Sequence, residues 1–195
     1  MAHEELMTNE ELIELFMRQV VIADKHTVGD YMASIGRWSE GVSAVNNSYK
    51  WLNTLVDAGK LVRGDGFYRL PDCKSEYADH ARALTKALAE ILKLNLDTHI
   101  LREHTIAEKG LRPDALVLLT KEGRGLCFVL EVCVNEREDY LNQKINTWFL
   151  WDGANQYLSQ LFGKRIKHFE IVTVGLDTER TFNFNQYLQE VKNGI

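Results

Sequence analysis

The stretch RPDALVLLTKEGRGLCFVLEVCVNE, residues 112–136, contains two apolar segments separated by a short polar segment with two glycines. This pattern predicts a β-hairpin whose turn lies at Glu122 and Gly123. In a hairpin that is symmetric about this turn, facing residues have numbers that add up to 245. We therefore expect Asp114 to face Glu131 at the open end of the hairpin.

These two facing acids are the first candidate site in the chain. Side chains directly opposite each other in an antiparallel pair have Cβ atoms about 5 Å apart. Two carboxylates at that distance repel each other unless a proton or a cation lies between them. Because such an arrangement is costly, Asp114 and Glu131 indicate a functional site at this end of the sheet.

The order Pro113-Asp114, hairpin, Glu131-x-Cys133 resembles the PD-(D/E)XK nuclease motif. The resemblance implies that Asp114 and Glu131 hold Mg²⁺ and take part in catalysis. It also implies that a lysine two residues after the glutamate assists the attacking water. This chain departs from the motif there, since Cys133 stands in the position of the lysine and removes a positive charge from the strand.

A helix is predicted after the hairpin, with Asn135 as its N-cap and Glu138 in the capping-box position. Lys144 shares the inward stripe of this helix with four apolar residues: Leu141, Ile145, Trp148 and Phe149. A lysine on the buried side of a helix needs an acid or a path to water.

Three roles for Lys144 remain open. It can replace the motif lysine in an active nuclease, where Mg²⁺ polarises the phosphate and Lys144 supports the developing charge. It can instead neutralise the two acids in an inactive scaffold, or extend to the surface without a special role. The substitution at Cys133 favours the scaffold over the nuclease, since a fold does not imply an activity.

The first 72 residues have the order of a winged helix-turn-helix domain, with three helical patterns followed by a hairpin. The first helix is predicted from an N-cap at residue 8 or 9, and the second over residues 26–35. The third is predicted to open at residues 39–41 and to end at a C-cap at residue 59. The inward side of the third is expected to contain Val42, Val45, Tyr49, Leu52, Leu55 and Val56. The hairpin turn is predicted at Asp65-Gly66.

The N-terminal half of the third helix enters the major groove in this kind of domain. Its polar candidates for DNA contact are Ser43, Asn46, Asn47 and Lys50. Asparagine reads adenine through paired hydrogen bonds, and Arg37 and Arg63 are expected to hold phosphates at the edges. Winged helices also dock proteins or form dimers, and the net charge of −4 over residues 1–72 favours that alternative.

A joint is predicted at residues 71–75, which divides the chain into domains 1–72 and 73–195. A helix over about residues 75–93 opens the second domain. The nuclease resemblance implies that this helix lends an acid, Glu76 or Glu90, to a metal site, and that His80 is a weak site candidate. A core histidine and solvated helix charges are the more ordinary interpretations.

With Lys144 and the aromatic residues of its helix, the two predicted domains resemble the replication-relaxation family of mobile-element proteins. The resemblance implies an α/β (α+β) fold, in which a winged helix-turn-helix precedes a PD-(D/E)XK nuclease-like domain. It also implies a DNA-binding accessory or regulatory role in the replication, relaxation or transfer of a plasmid or mobile element. The implied partner is double-stranded DNA, and a homodimer or a replication or transfer protein is a further candidate.

Two other classes of function remain open. One is a metal-dependent endonuclease, for which Mg²⁺ would be the cofactor; an inactive domain needs none. The other is a protein-binding adaptor. A net charge of −5 for the whole chain means that any DNA contact must come from a local basic patch.

Composition and the remaining segments set the wider limits. The apolar fraction of 45% and the charged fraction of 26% are those of a globular protein. No signal peptide or membrane span is recognisable, so a cytoplasmic protein is expected. The three cysteines, Cys73, Cys127 and Cys133, are expected to be free thiols.

Strands are predicted over residues 97–106 and 169–176, a short helix around residues 157–162, and a closing helix over residues 182–191. Residues 164–168, KRIKH, form a basic cluster. Such a cluster is usually a solvated loop, yet it is the best non-specific phosphate candidate in the C-terminal half.

Overall fold

The computed structural model describes residues 7–73, 79–134, 137–176 and 178–194. Contacts within the chain divide it into two compact units, Met1–Asn95 and Leu96–Ile195. The sequence placed this division after Asp72. The difference concerns one helix, Asp79–Leu92, which packs in the first unit rather than in the second.

The first unit begins with three helices: α1 (Asn9–Val20), α2 (Lys25–Ser34) and α3 (Val42–Asp57). Thr8 caps α1 in a reciprocal capping box with Glu11, which satisfies two backbone N–H groups at the helix start. The three helices therefore lie where the apolar periodicity predicts them.

The rotation of α3 differs from the prediction. A Cβ on Gly29 would lie 3.1 Å from the carbonyl carbon of Ala44, so α2 and α3 approach closely at small residues. The Ser48 hydroxyl donates to a backbone carbonyl at the start of α2 over 2.6 Å. This contact turns Ala44 and Ser48 inward and leaves Val42 77% exposed and Tyr49 41% exposed, so the inward assignment of those two residues was wrong.

A small antiparallel sheet follows these three helices in the first unit. Its strands are β1 (Ile22–Ala23), β2 (Val62–Arg63) and β3 (Tyr68–Arg69), in the order β1-β3-β2. The β2–β3 register places Asp65-Gly66 at the turn, as predicted, and the Gly64 N–H donates to the Phe67 carbonyl over 2.9 Å. The two-residue β1 was not predicted, because so short a strand shows no alternation.

The fourth helix, α4 (Asp79–Leu92), is held against the start of the chain. Its buried residues form an apolar stripe that includes Ala81, Leu84, Ala87, Leu88 and Ile91. The buried Thr85 hydroxyl donates to the Ile22 carbonyl of β1 over 2.7 Å. Residues 75 and 76, the predicted helix start and one candidate metal ligand, lie outside the described residues.

The second unit contains a mixed five-stranded sheet. Its strands are β4 (Asp97–Arg102), β5 (Ala115–Lys121), β6 (Arg124–Val132), β7 (Glu170–Val174) and β8 (Phe182–Asn183), in spatial order β4 to β8. The first three are antiparallel, whereas β7 is parallel to β6 and β8 is parallel to β7. β4 ends earlier than predicted because Glu103 has a φ of +50°.

The central hairpin of β5 and β6 has the predicted register. Lys121 pairs with Arg124 across the turn, and Ala115 pairs with Leu130 at the far end. Glu122 and Gly123 have φ values of +50° and +81°. Positive φ at both central residues is typical of the two-residue turns that match the twist of paired strands.

Helices cover both faces of this sheet. The helices are α5 (Glu138–Phe149), α6 (Ala154–Phe162) and α7 (Phe184–Gly194). A cluster of buried side chains joins α5 and α6 to one face. On the other face Tyr187 of α7 packs edge-on against Phe128 at 5.2 Å between ring centroids. The predicted α/β class is confirmed by this arrangement of helices and two sheets.

Two details of these helices differ from the sequence prediction. Phe149, at the end of α5, is 45% exposed rather than inward. Phe182 and Asn183 pair with β7 as β8, so the closing helix begins two residues later than predicted. The proposed N-cap of α5, Asn135, lies outside the described residues, and the described helix begins at Glu138.

Candidate functional site

The two acids of the motif lie at the end of the central hairpin. Because Ala115 pairs with Leu130, the next facing positions outward are Asp114 and Glu131. The odd-numbered β6 residues Cys127 and Val129 belong to the cluster beneath α5 and α6. Alternation along the strand places Glu131 on that same face. Glu131 is 1% exposed, whereas Asp114 is half-buried.

Lys144 reaches the buried acid from α5. Its Nζ atom lies 2.6 Å from Oε2 of Glu131, and its side chain is 12% exposed. The same ammonium lies 5.5 Å from the ring centroid of Tyr140, one helical turn earlier. A buried carboxylate and a buried ammonium are each costly alone, so each makes the burial of the other tolerable.

Asp114 accepts hydrogen bonds from backbone N–H groups. Its Oδ2 atom accepts a hydrogen bond from the Val132 N–H over 2.7 Å. Its backbone carbonyl accepts from the Glu103 N–H over 3.0 Å. Asp114 therefore connects the ends of β4 and β6, and one of its carboxylate oxygens is engaged within the sheet.

The position of the missing motif lysine is apolar. Cys133 is 6% exposed, and its N–H donates to the Val174 carbonyl of β7 over 2.8 Å. Gly175 packs so closely that an added Cβ would lie 2.7 Å from the Cys133 carbonyl oxygen. The backbone here is fixed by β7, and the only lysine that the described residues bring to Glu131 comes from α5.

The described residues around Asp114 and Glu131 do not form a complete metal site. Carboxylate oxygens suit Mg²⁺, but one oxygen of each candidate ligand already has a donor, the Val132 N–H or the Lys144 ammonium. Within the described ranges, no three acidic, histidine or cysteine side chains gather as metal ligands would. The geometry fits a carboxylate neutralised by lysine better than a carboxylate reserved for a cation.

Of the candidates predicted on the helix before β4, Glu90 and His80 lie in the first unit. Glu90 of α4 forms an ion pair with Lys93 over 2.6 Å, which is the ordinary role of a helix charge. His80 is half-buried near the start of the same helix. Glu76 lies outside the described residues.

The predicted DNA-contacting residues of α3 lie within the first nine residues of the helix. Ser43, Asn46 and Lys50 are exposed, whereas Asn47 is half-buried. Val42 precedes them with 77% exposure. We call Val42, Ser43, Asn46 and Lys50 the α3 surface; all four side chains are exposed.

A cationic cluster borders the α3 surface. The exposed Tyr49 ring has the Lys25 ammonium 5.7 Å and the Arg63 guanidinium 5.5 Å from its centroid. Lys25 begins α2 and Arg63 lies on β2, so three elements bring these groups together. Cations over an aromatic face are held in place yet keep their donors available to an anion.

The sequence analysis names Arg63 as a candidate for phosphate contact. It does not name Lys25 or Tyr49, because it assigns Tyr49 to the core. Arg37 lies elsewhere: its Nη2 atom donates to the Met7 carbonyl, before α1, over 2.9 Å. That contact gives Arg37 a structural role at the start of the chain. The sequence offered no signal for the contact, since 30 residues separate its two ends.

The cysteines form no disulfide among the described residues. All three cysteines are free, as predicted. Burial raises the pKa of the Cys127 thiol to about 12, so this group stays protonated at neutral pH. Cys127 and Cys133 both belong to the cluster beneath α5 and α6, where they behave as small apolar side chains.

None of the helices in the described part of the chain has the length and apolar character that crossing a bilayer requires. Comparison with protein-family models and with curated proteins finds no match. Among solved structures, the chain shows weak similarity to the restriction endonuclease FokI, with a TM-score of 0.32 and 12% sequence identity. The match covers 95% of this chain and 41% of that endonuclease, and so low a score carries no argument about fold or function.

Proposed function

We propose that this chain binds double-stranded DNA through α3 and does not cut it. Its role would be that of an accessory or regulatory protein in the replication, relaxation or transfer of a plasmid or mobile element, as the family resemblance implies. The observation that carries the proposal is the exposed α3 surface beside the cations Lys25 and Arg63.

The chemistry of the α3 surface suits a DNA groove. The amide of Asn46 can pair with the exposed edge of adenine, and the Ser43 hydroxyl can bond to any base. The ammonium of Lys50 and the cations around Tyr49 can contact phosphates on either side. Five of the 11 acids among residues 1–72 precede residue 15, so the negative charge of this segment is concentrated away from α3 in the sequence.

The contact between Lys144 and Glu131 supports the absence of cleavage. A carboxylate already paired with a buried ammonium at 2.6 Å has little need of a metal counter-ion. The position at which the motif places the lysine that assists the attacking water holds Cys133, which is buried and has no ammonium group. In this proposal the ammonium of Lys144, rather than a metal ion, neutralises Glu131 at the end of the sheet.

The same contact also supports the alternative of an active endonuclease. Lys144 lies beside Glu131 and can supply the positive charge that the motif normally places on the strand. In that case Asp114 and Glu131 would be the metal ligands and Lys144 a catalytic residue. The two proposals differ in whether DNA is cut, and the plasmid experiment in the Discussion separates them.

Changing Asn46 and Lys50 to alanine together should weaken specific DNA binding by roughly 10- to 100-fold, because one paired base contact contributes about 1–3 kcal/mol. A DNA site would first be selected from random duplexes with the wild-type protein. Fluorescence anisotropy would then compare both proteins on the selected duplex. The side chains are exposed, so the variant should fold normally.

The matched control is Lys86→Ala, which removes an exposed helical lysine of the same unit far along the sequence from α3. Its binding should equal that of the wild type. If the Asn46 and Lys50 variant also binds like the wild type, α3 is not the recognition helix.

A further inference from the structure

A second basic surface lies in the second unit, in the loop between α6 and β7. Residues 163–168, here called the basic loop, carry four exposed side chains with basic groups: Lys164, Arg165, Lys167 and His168. The second unit from residue 96 onward has 12 basic and 14 acidic residues, so it has no general excess of positive charge. The basic loop is a local concentration within a slightly acidic unit.

The shape of the basic loop is fixed by its neighbours. Gly163 ends α6 with a φ of +61°. The Ser159 hydroxyl accepts from the Ile166 N–H over 2.8 Å and lies 3.2 Å from the Ile166 carbonyl oxygen. The Ile166 side chain is 8% exposed and packs into the core cluster. This one inward residue leaves the basic side chains on both sides of it in solvent.

The basic side chains of the loop are not paired with acids of the second unit in the part that the structure describes. Among the described residues, none of the four basic side chains forms an ion pair. One or two cations after a helix are explained by the negative end of the helix dipole. Lys164, Arg165 and Lys167 place three cations within four consecutive residues, which exceeds that need and gives a surface on which phosphates can replace bound counter-ions.

We propose that the basic loop is a second, sequence-independent phosphate-binding surface for duplex DNA. The inference rests on the proposed function, because DNA is taken as the polyanion that the first unit brings to the protein. An anionic membrane fits less well, since the loop exposes no large apolar side chain that would enter a bilayer. The basic loop would add affinity without sequence preference, and α3 would supply the preference.

The test compares the salt dependence of binding to a random-sequence duplex. A plot of log affinity against log salt has a negative slope, and each phosphate contact contributes about −0.9 to it. The variant K164Q/R165Q/K167Q should therefore make this slope less steep by about 2–3. The control K121Q/R124Q/K192Q removes the same charge from three other exposed positions of the second unit. It should leave the slope close to that of the wild type.

Each outcome has a definite meaning. Equal slopes for the loop variant and the control overturn the inference, as does a loss of binding to phosphatidylglycerol vesicles without any change on DNA. If the loop variant has a weaker salt dependence while the Asn46 and Lys50 variant binds normally, the inference stands and the α3 proposal fails. A wild-type chain without salt-dependent DNA binding overturns both. Far-UV circular dichroism would verify that each variant is folded.

Discussion

Replacing Lys144 with methionine should lower the free energy of unfolding of the second unit by about 3–5 kcal/mol, the usual cost of leaving one partner of a buried ion pair alone. The Glu131 side chain is 1% exposed, so water cannot solvate the carboxylate in place of the ammonium. Urea unfolding followed by circular dichroism, with hydrogen exchange of the β6 amides to assign the change to this unit, would measure the loss.

Two further variants make this result interpretable. Lys144→Met combined with Glu131→Gln should recover much of the loss, because the remaining side chain is uncharged. Lys192→Met removes an exposed lysine of α7 and should change the stability by less than about 0.5 kcal/mol. If Lys144→Met behaves like Lys192→Met, the ion pair does not support the end of the sheet.

Changing Gly175 to alanine should lower the free energy of unfolding of the second unit by about 3 kcal/mol, from backbone strain and steric conflict together. Gly175 follows β7 with a φ of +99°, where side chains are disfavoured. The added Cβ would also lie 2.7 Å from the Cys133 carbonyl oxygen, and this backbone atom cannot move without disturbing the pairing of β6 and β7. The same urea titration would measure the effect.

Gly123→Ala is the matched control for this change. Gly123 has a φ of +81°, but an added Cβ there would have no atom within 4 Å. This variant should therefore show only the strain, about 1 kcal/mol. Equal losses at Gly123 and Gly175 would mean that the close contact with Cys133 does not constrain the site.

The local parts of the fold were predictable because they depend on neighbouring residues. Glu122 and Gly123 set the turn, the turn set the register, and the register placed Asp114 opposite Glu131. Lys144 stood out because a lysine on an apolar helical stripe needs a buried acid, and the structure provides one in Glu131.

The remaining features depend on contacts between distant residues. The rotation of α3 follows from the close approach of Gly29 to Ala44, which no periodicity in α3 reveals. α4 packs in the first unit because Thr85 and its apolar neighbours meet β1, a strand too short to recognise. The bond from Val132 to the Asp114 carboxylate likewise depends on the finished end of the sheet.

The central claim is that this chain binds DNA without cutting it. The most direct test is to incubate the wild-type chain with supercoiled plasmid in low salt, with Mg²⁺ or Mn²⁺ added. We expect the plasmid to be retarded on a native gel and to be recovered fully supercoiled after the protein is removed. Nicked or linear plasmid produced by the wild type but not by Glu131→Gln would contradict the account and establish an active nuclease.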